Sequence, residues 1–479
     1  MPLSPAAIAL NRFGLGGRAD EDPPVDARRW LLGQLDRFDV RPAAYAALAD
    51  AGAIVQRYRV QQRDMRQAAL AKAPVLAKAP VLARAEDESA DLKASRQAFV
   101  RDTHALYRDA VQARAQSALV TPAPFVERMV HFWSNHFCVS VDNPQIAAYA
   151  GAFERDAIRP HVLGRFADML LAAEQHPAML IYLNQITSIG PDSLAAQRAE
   201  QRESGRRLGL NENLGREIME LHTLGVRSGY SQTDVTEFAR ALTGWTVDGL
   251  GRGHGAEGDP DRFAFRPMRH EAGARRIMGR TYDQAGEDQA SAALIDFARS
   301  PHSATHIATK LARHFAGDTP PPRLVARLAA TFSGTGGDLP RVYRTLIRSP
   351  EPWASQPLKF KTPWEWTISA LRGLDQTEPG TMPLAGVQSE LGQPVWKPGS
   401  PAGWDDTAAS WAAPDALLRR VEFASRLADP FGDRIDARAI GARIIPGSLS
   451  AATAEQVGRS ESPASALALL LVSPDFLRR

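Results

Sequence analysis

The run Asn211–Leu224, NENLGREIMELHTL, concentrates groups able to bind or move protons. Asn213, Glu217 and Glu220 follow at spacings of four and three, so a helix puts all three on one face. Leu214, Ile218 and Leu221 form the neighbouring apolar stripe. Paired carboxylates can divide into acid and base when their surroundings differ. Glu217, Glu220 and His222 are therefore the candidate catalytic groups. Given a ligand from another helix, Glu217 and Glu220 could also hold one divalent metal ion. His222 lies about 140° round from Glu217 on a regular helix, so those two could hardly share an ion. The structural alternative pairs both glutamates with Arg216 and nearby arginines.

A second stretch, PFVERMVHFWSNHFCVS at 124–140, places Phe125, Met129, Phe132, Trp133, His136 and Phe137 on one side of a helix. His131 and His136 are five apart, which is not the HExxH spacing of a zinc protease. His136 is either a buried imidazole bonded to a neighbour or the third metal ligand beside Glu217 and Glu220. That set would suit zinc or iron. Asp234, Glu237 and Arg240 step by three, as a salt-bridge ladder would, or Arg240 could reach Glu217 and Glu220. His270 sits among Arg266, Arg269, Arg275 and Arg276, a cluster able to take phosphate, sulfate or a sugar acid, or to stand in solvent. His306, Lys310 and His314 step by four, so they share a face that could be a second anion site or a packing face.

Tryptophan is the other signal. Six of the nine lie in 353–411, among prolines and glycines. Flat rings on loops can stack on sugars, and they can equally fill space over a helical core. A mixed arrangement has this segment closing a cleft over the Glu217 region. Asn213, Arg240, His270 and Trp404 are the candidate substrate contacts.

The elements that must position these groups are mostly helices. The 479 residues are 44% hydrophobic and 23% charged, values of a globular chain and not of a disordered one. The expected fold is mainly α: one large helical body over 1–479 with long loop insertions and at most one small β-hairpin. The tandem AKAPVL repeat at 71–82 marks a flexible linker at 71–85. Residues 186–210 read as an exposed loop. Residues 248–285 read as a loop in which Arg262–Phe265 and Arg276–Tyr282 could pair as the hairpin. Residues 353–411 read as a covering segment.

Several functions lose support at once. One cysteine, Cys138, allows no internal disulfide and no cysteine-cluster metal site. A net charge of +3 from 57 basic and 54 acidic residues argues against nucleic acid as the main partner. No GxSxG elbow or GxxxxGK phosphate loop occurs, and GLGG at Gly14–Gly17 follows no strand. The longest apolar run, Ala466–Val472, is far short of the roughly 20 residues that span a bilayer. Met1–Arg18 makes a poor secretory signal, so the expectation is a cytoplasmic protein, with export beside a partner left open.

Longer motifs point to a family. RMVHFWSNHFC at 128–138 and NENLGREIMELHTLGVRSGYSQTDVTEFARALTGW at 211–245 carry the resemblance. ALNRFGLG at 9–16, KLARHF at 310–315, LPRVYRTLIRSPEPW at 339–353, LGQPVWKPGSPAGW at 391–404 and SPDFLRR at 473–479 extend it. The chain resembles the bacterial family called domain of unknown function 1800. That resemblance supplies no activity and no catalytic residues. Family members are often encoded beside sulfatase-like proteins with export signals, which implies a sulfatase-like partner. Two readings result: a metal-dependent or acid/base enzyme acting on a saccharide or anionic substrate, and a non-catalytic helical scaffold or partner of such a protein.

Overall fold

Helix starts along this chain are set by capping side chains and by proline. Ser231 and Asp234 form a reciprocal capping box, and so do Thr362 and Glu365. Ser300 caps a helix whose first residue is Pro301, where a missing N–H costs nothing. The computed structural model describes residues 2–50, 52–54, 56–57, 60, 90–201, 209–248, 263–432 and 434–479.

The fold is mainly α, with 62% of the described residues helical. The elements that build the site are α1 (Ala90–Val120), α2 (Pro124–His136), α3 (Pro144–Phe153), α4 (Phe166–Glu174), α5 (Asn213–Glu217), α6 (Gln232–Leu242), α7 (Asp288–Arg299), α8 (Pro301–Ala316), α9 (Pro322–Thr335) and α10 (Pro363–Gly373). Helix α2 is buried along nearly its whole circumference, with only His131 and Asn135 partly open. It therefore runs through the interior and not across a surface. Around it α1 packs on α3, α4 on α7, α5 on α6, and α8 on α9. One apolar core joins residues from Ile8 to Leu477.

Three π-helical turns interrupt this regularity among the described residues: Ile8–Phe13, Glu154–Ile158, and Ile218–His222, which continues α5. Each carries a buried polar group, Arg12, Glu154 and His222 respectively. The wider turn rotates side chains off the 3.6-residue pattern, and such turns recur at functional sites.

The strands differ from the expected hairpin. Trp245–Val247 pairs antiparallel with Phe263–Phe265, and Arg275–Ile277 pairs with Arg280–Tyr282. The second pair closes on Met278 and Gly279, both at positive φ, as a two-residue hairpin turn demands. That tight turn folds 275–277 onto the following residues, which leaves Phe263–Phe265 to the Trp245 strand.

Segment 186–210 contains a helix, Leu194–Gln201, with Ser193 accepting from the Ala196 N–H at 3.3 Å. LAAQRAEQ consists of good helix formers, so it is helical without burying a residue. Segment 353–411 likewise contains a core helix, α10, buried throughout, and only its later part runs over the surface of the cavity described below. The expected linker at 71–85 lies outside the described residues. Among the described residues no helix is long and apolar enough to cross a membrane.

Candidate functional site

Helix α5 buries Leu214, Ile218 and Met219, and its Glu217/Glu220 face stays half open. Glu220 lies 3.5 Å from Arg216. Burial raises the Glu217 carboxyl, with His222 opposing. Asn213 is exposed. The π turn swings His222 inward, where its Nδ1 meets Oε1 of Glu174 from α4 at 2.7 Å. His136 donates from Nε2 to the His222 carbonyl oxygen at 3.1 Å. The two imidazoles therefore do meet, but the acid beside them is Glu174.

The metal set His136, Glu217 and Glu220 is not assembled. Among the described residues no group of three or more His, Cys, Asp and Glu is arranged to hold a metal ion. The reason is local: spacings of three and four keep both glutamates on the face away from the core. Arg240 reaches Glu271 at 2.7 Å and Glu237 at 3.5 Å, and not α5. His270 sits 2.9 Å from the Thr243 carbonyl oxygen. Three of its four basic neighbours are occupied, Arg266 by Asp248, Arg269 by the Ile186 carbonyl and Arg275 by Glu271, and Arg276 is exposed.

The site that does form lies on the other side of α2. A cavity of about 490 Å³ opens between α2, α8, the start of α10 and residues 393–406. Arg128, His131 and Asn135 come from α2, and Lys310, Arg313 and His314 from α8. Thr362, Trp364 and Glu365 come from the start of α10, and Trp396, Trp404, Asp405 and Asp406 from the covering segment. Of the expected substrate contacts only Trp404 lines it; Glu217, Glu220, His222, Asn213, Arg240 and His270 do not. The expected cleft exists, but it is closed over α8 and not over α5.

The covering segment is clasped to α2. Asn135 donates to the Trp404 carbonyl at 2.9 Å and accepts from the Trp404 N–H at 2.7 Å. The Cys138 thiol donates to the Pro401 carbonyl at 3.1 Å, and burial pushes it up to about 12. Arg114 stands over the rings of Trp364 and Trp396, at 4.5 and 5.3 Å from their centroids, and pairs with buried Glu154 at 2.9 Å.

Beneath the cavity lies a buried charge network. Glu365 pairs with Arg128 and, at 2.9 Å, with Arg479. Burial alone would raise its carboxyl, but the two guanidinium groups hold it well below the usual range. His314 contacts Asp406 through Nδ1 at 2.6 Å, and its Nε2 lies 3.4 Å from Arg128. These partners assign a neutral ring with its proton on Nδ1. Asp406 also receives Lys359 at 3.1 Å. Burial opposes its charge, yet His314 and Lys359 keep it below the ordinary carboxylate range.

Lys310 donates from Nζ to Nδ1 of His136 at 2.9 Å. Neither Lys310 nor Arg313 has a carboxylate ion-pair partner among the described residues. Burial, with Arg313 close by, brings the Lys310 ammonium down to about 8. Two cations without a carboxylate in direct contact at a cavity wall favour an anionic occupant. Residues 8–478, nearly the whole chain, match the family described as "Protein of unknown function (DUF1800)". The chain belongs to that family. No curated protein and no solved structure matches it.

In this DUF1800 chain the four-residue step of His306, Lys310 and His314 falls on α8, and Lys310 and His314 line the cavity. His306, however, does not line the cavity and bonds the Leu221 carbonyl at 3.0 Å. Sequence reasoning missed Arg128, Arg313, Glu365 and Asp406. A signal existed for the last: adjacent carboxylates after Trp404, in a Pro/Gly-rich stretch, are well suited to a binding loop.

Proposed function

We propose that this DUF1800 chain is an acid/base enzyme whose substrate is small, ring-bearing and anionic, such as a sugar acid or a sulfated sugar. One observation carries the reading: Lys310 and Arg313, cations without a carboxylate partner among the described residues, share a cavity with Trp404. A carboxylate or sulfate there would neutralise them through charge-assisted hydrogen bonds. The tryptophan side chain offers an apolar surface for the ring. His314 is the acid/base candidate. Asp406 orients its ring and would stabilise the imidazolium formed when Nε2 takes a proton. Arg128, already committed to Glu365, must yield Nε2 to the substrate for that transfer.

Isothermal titration with glucuronate tests the binding half. Arg313→Gln and Trp404→Ala should each weaken binding tenfold or more, and Glu220→Gln should not change it. Unchanged affinity in the first two variants, or equal binding of uncharged glucose, sinks the proposal.

The second reading is a non-catalytic scaffold or partner of a sulfatase-like protein. Beyond the family resemblance, its support is a pair of exposed apolar side chains, Leu418 and Val421, one turn apart on the helix Pro414–Ala428. Co-purification with a sulfatase-like protein that is lost in Leu418→Asp would favour it.

A further inference from the structure

Lysine is scarce in this chain, with seven against fifty arginines. Among the described residues Lys310 is the lysine that lines the cavity. Arginine alone would serve to bind an anion, and would do so with better-matched geometry. A primary amine at this point offers something a guanidinium cannot, which is a nucleophilic lone pair. We propose that Lys310 forms a Schiff base with an aldehyde or ketone that carries an anionic group. The inference rests on the reading of the cavity as an anion site and adds the reacting group.

The hydrogen bonds around Nζ prepare that role. His136 spends its Nε2 proton on the His222 carbonyl, so Nδ1 is left as an acceptor only. The neutral amine can give one N–H to Nδ1, and that ring cannot donate back to its lone pair. His136 is thus a positioning residue. The groups that face Lys310 are His136 and Cys138 from α2 and its C-terminal end, His306 and Arg313 on α8 itself, and Asp406 from the covering segment. His136 and His306 are neutral rings, Asp406 is held by Lys359 and His314, and Arg313 disfavours a second positive charge beside it. Arg313 is also placed to hold the anionic group of the carbonyl compound.

The step balances without a further reactant. The Nζ lone pair adds to the carbonyl carbon, a C–N bond forms, and the oxygen takes a proton to give a carbinolamine. The nitrogen lone pair then forms C=N as the C–O bond breaks, and the hydroxyl leaves as water with the remaining nitrogen proton.

Pyridoxal 5′-phosphate, an anionic aldehyde, with cyanoborohydride reduction and peptide mass spectrometry on the full chain tests this. A reduced adduct on Lys310 is expected at a concentration at least tenfold below that needed to label exposed Lys397. Its yield should rise with pH about a midpoint near 8, and glucuronate should protect. Lys310→Arg should abolish this adduct and keep the one on Lys397. His136→Phe should slow adduct formation tenfold or more at high pH, where the amine is neutral in either protein, with glucuronate affinity retained. Labelling of Lys397 without Lys310 overturns the Schiff base. If glucuronate still binds in that case, the anion site stands; if neither binding nor adduct is found, both proposals fall.

Discussion

Glu365 is the residue on which the charge balance of the interior turns. It is one buried carboxylate between Arg128 and Arg479, and removing its charge leaves two guanidinium groups without it. Breaking a buried pair in this way typically costs about 3–5 kcal/mol. Glu365→Gln should lower the urea midpoint accordingly, and a loss under about 1 kcal/mol would show that water compensates the arginines. Lys310 is the opposite case. Its ammonium is held where burial disfavours it, so Lys310→Met should raise stability by on the order of 1 kcal/mol and remove glucuronate binding. Thermal unfolding and titration of the same sample check both halves, and a less stable variant would contradict the account of its depressed pKa.

At the scale of elements, the site depends on where irregular backbone departs from helical period. The π turn at Ile218–His222 and the loop through Gly403 each place groups that straight helices could not. Gly403 has φ +83° and passes so close to Asn135 that a Cβ would strike the Asn135 carbonyl. Only glycine adopts that conformation at little cost. Gly403→Ala should cost about 1–3 kcal/mol and should push the covering segment off α2. Glucuronate affinity should then fall at least tenfold, as titration would show; unchanged affinity would mean that the Asn135–Trp404 clasp is not what holds the cavity closed.

For the whole molecule, one core with many buried imidazoles sets the response to acid. His131, His136, His176, His306 and His314 all lie below the ordinary imidazole range because burial disfavours the charged ring, with His176 and His306 at about 4. The unfolded chain takes up these protons near pH 6.5 and the folded chain does not, so stability is lost as pH falls below that value. Glu365 and Asp406, whose folded pKa values are depressed, add to the loss below about pH 4. Urea midpoints at pH 7, 5.5 and 4.5 should decrease in that order, and a flat series would contradict the buried neutral rings.

The residue pattern alone determined that this chain is helical, which family it belongs to, and that α2 has an aromatic side, because three- and four-residue spacing reports directly which side of a helix is apolar; burial of α2 on nearly its whole circumference was decided by the structure. It also picked out Lys310 and His314 as neighbours on one face. Tertiary structure decided which distant group meets each of them. Asp406 reaches His314 across 92 residues of chain, and His222 finds its carboxylate in Glu174, a residue of another helix 48 positions away. Periodicity says how a segment faces the core but not which remote segment covers it. A π turn further rotates a side chain by an amount that no 3.6-residue pattern records. The cavity, built from parts far apart in sequence, is therefore a product of packing.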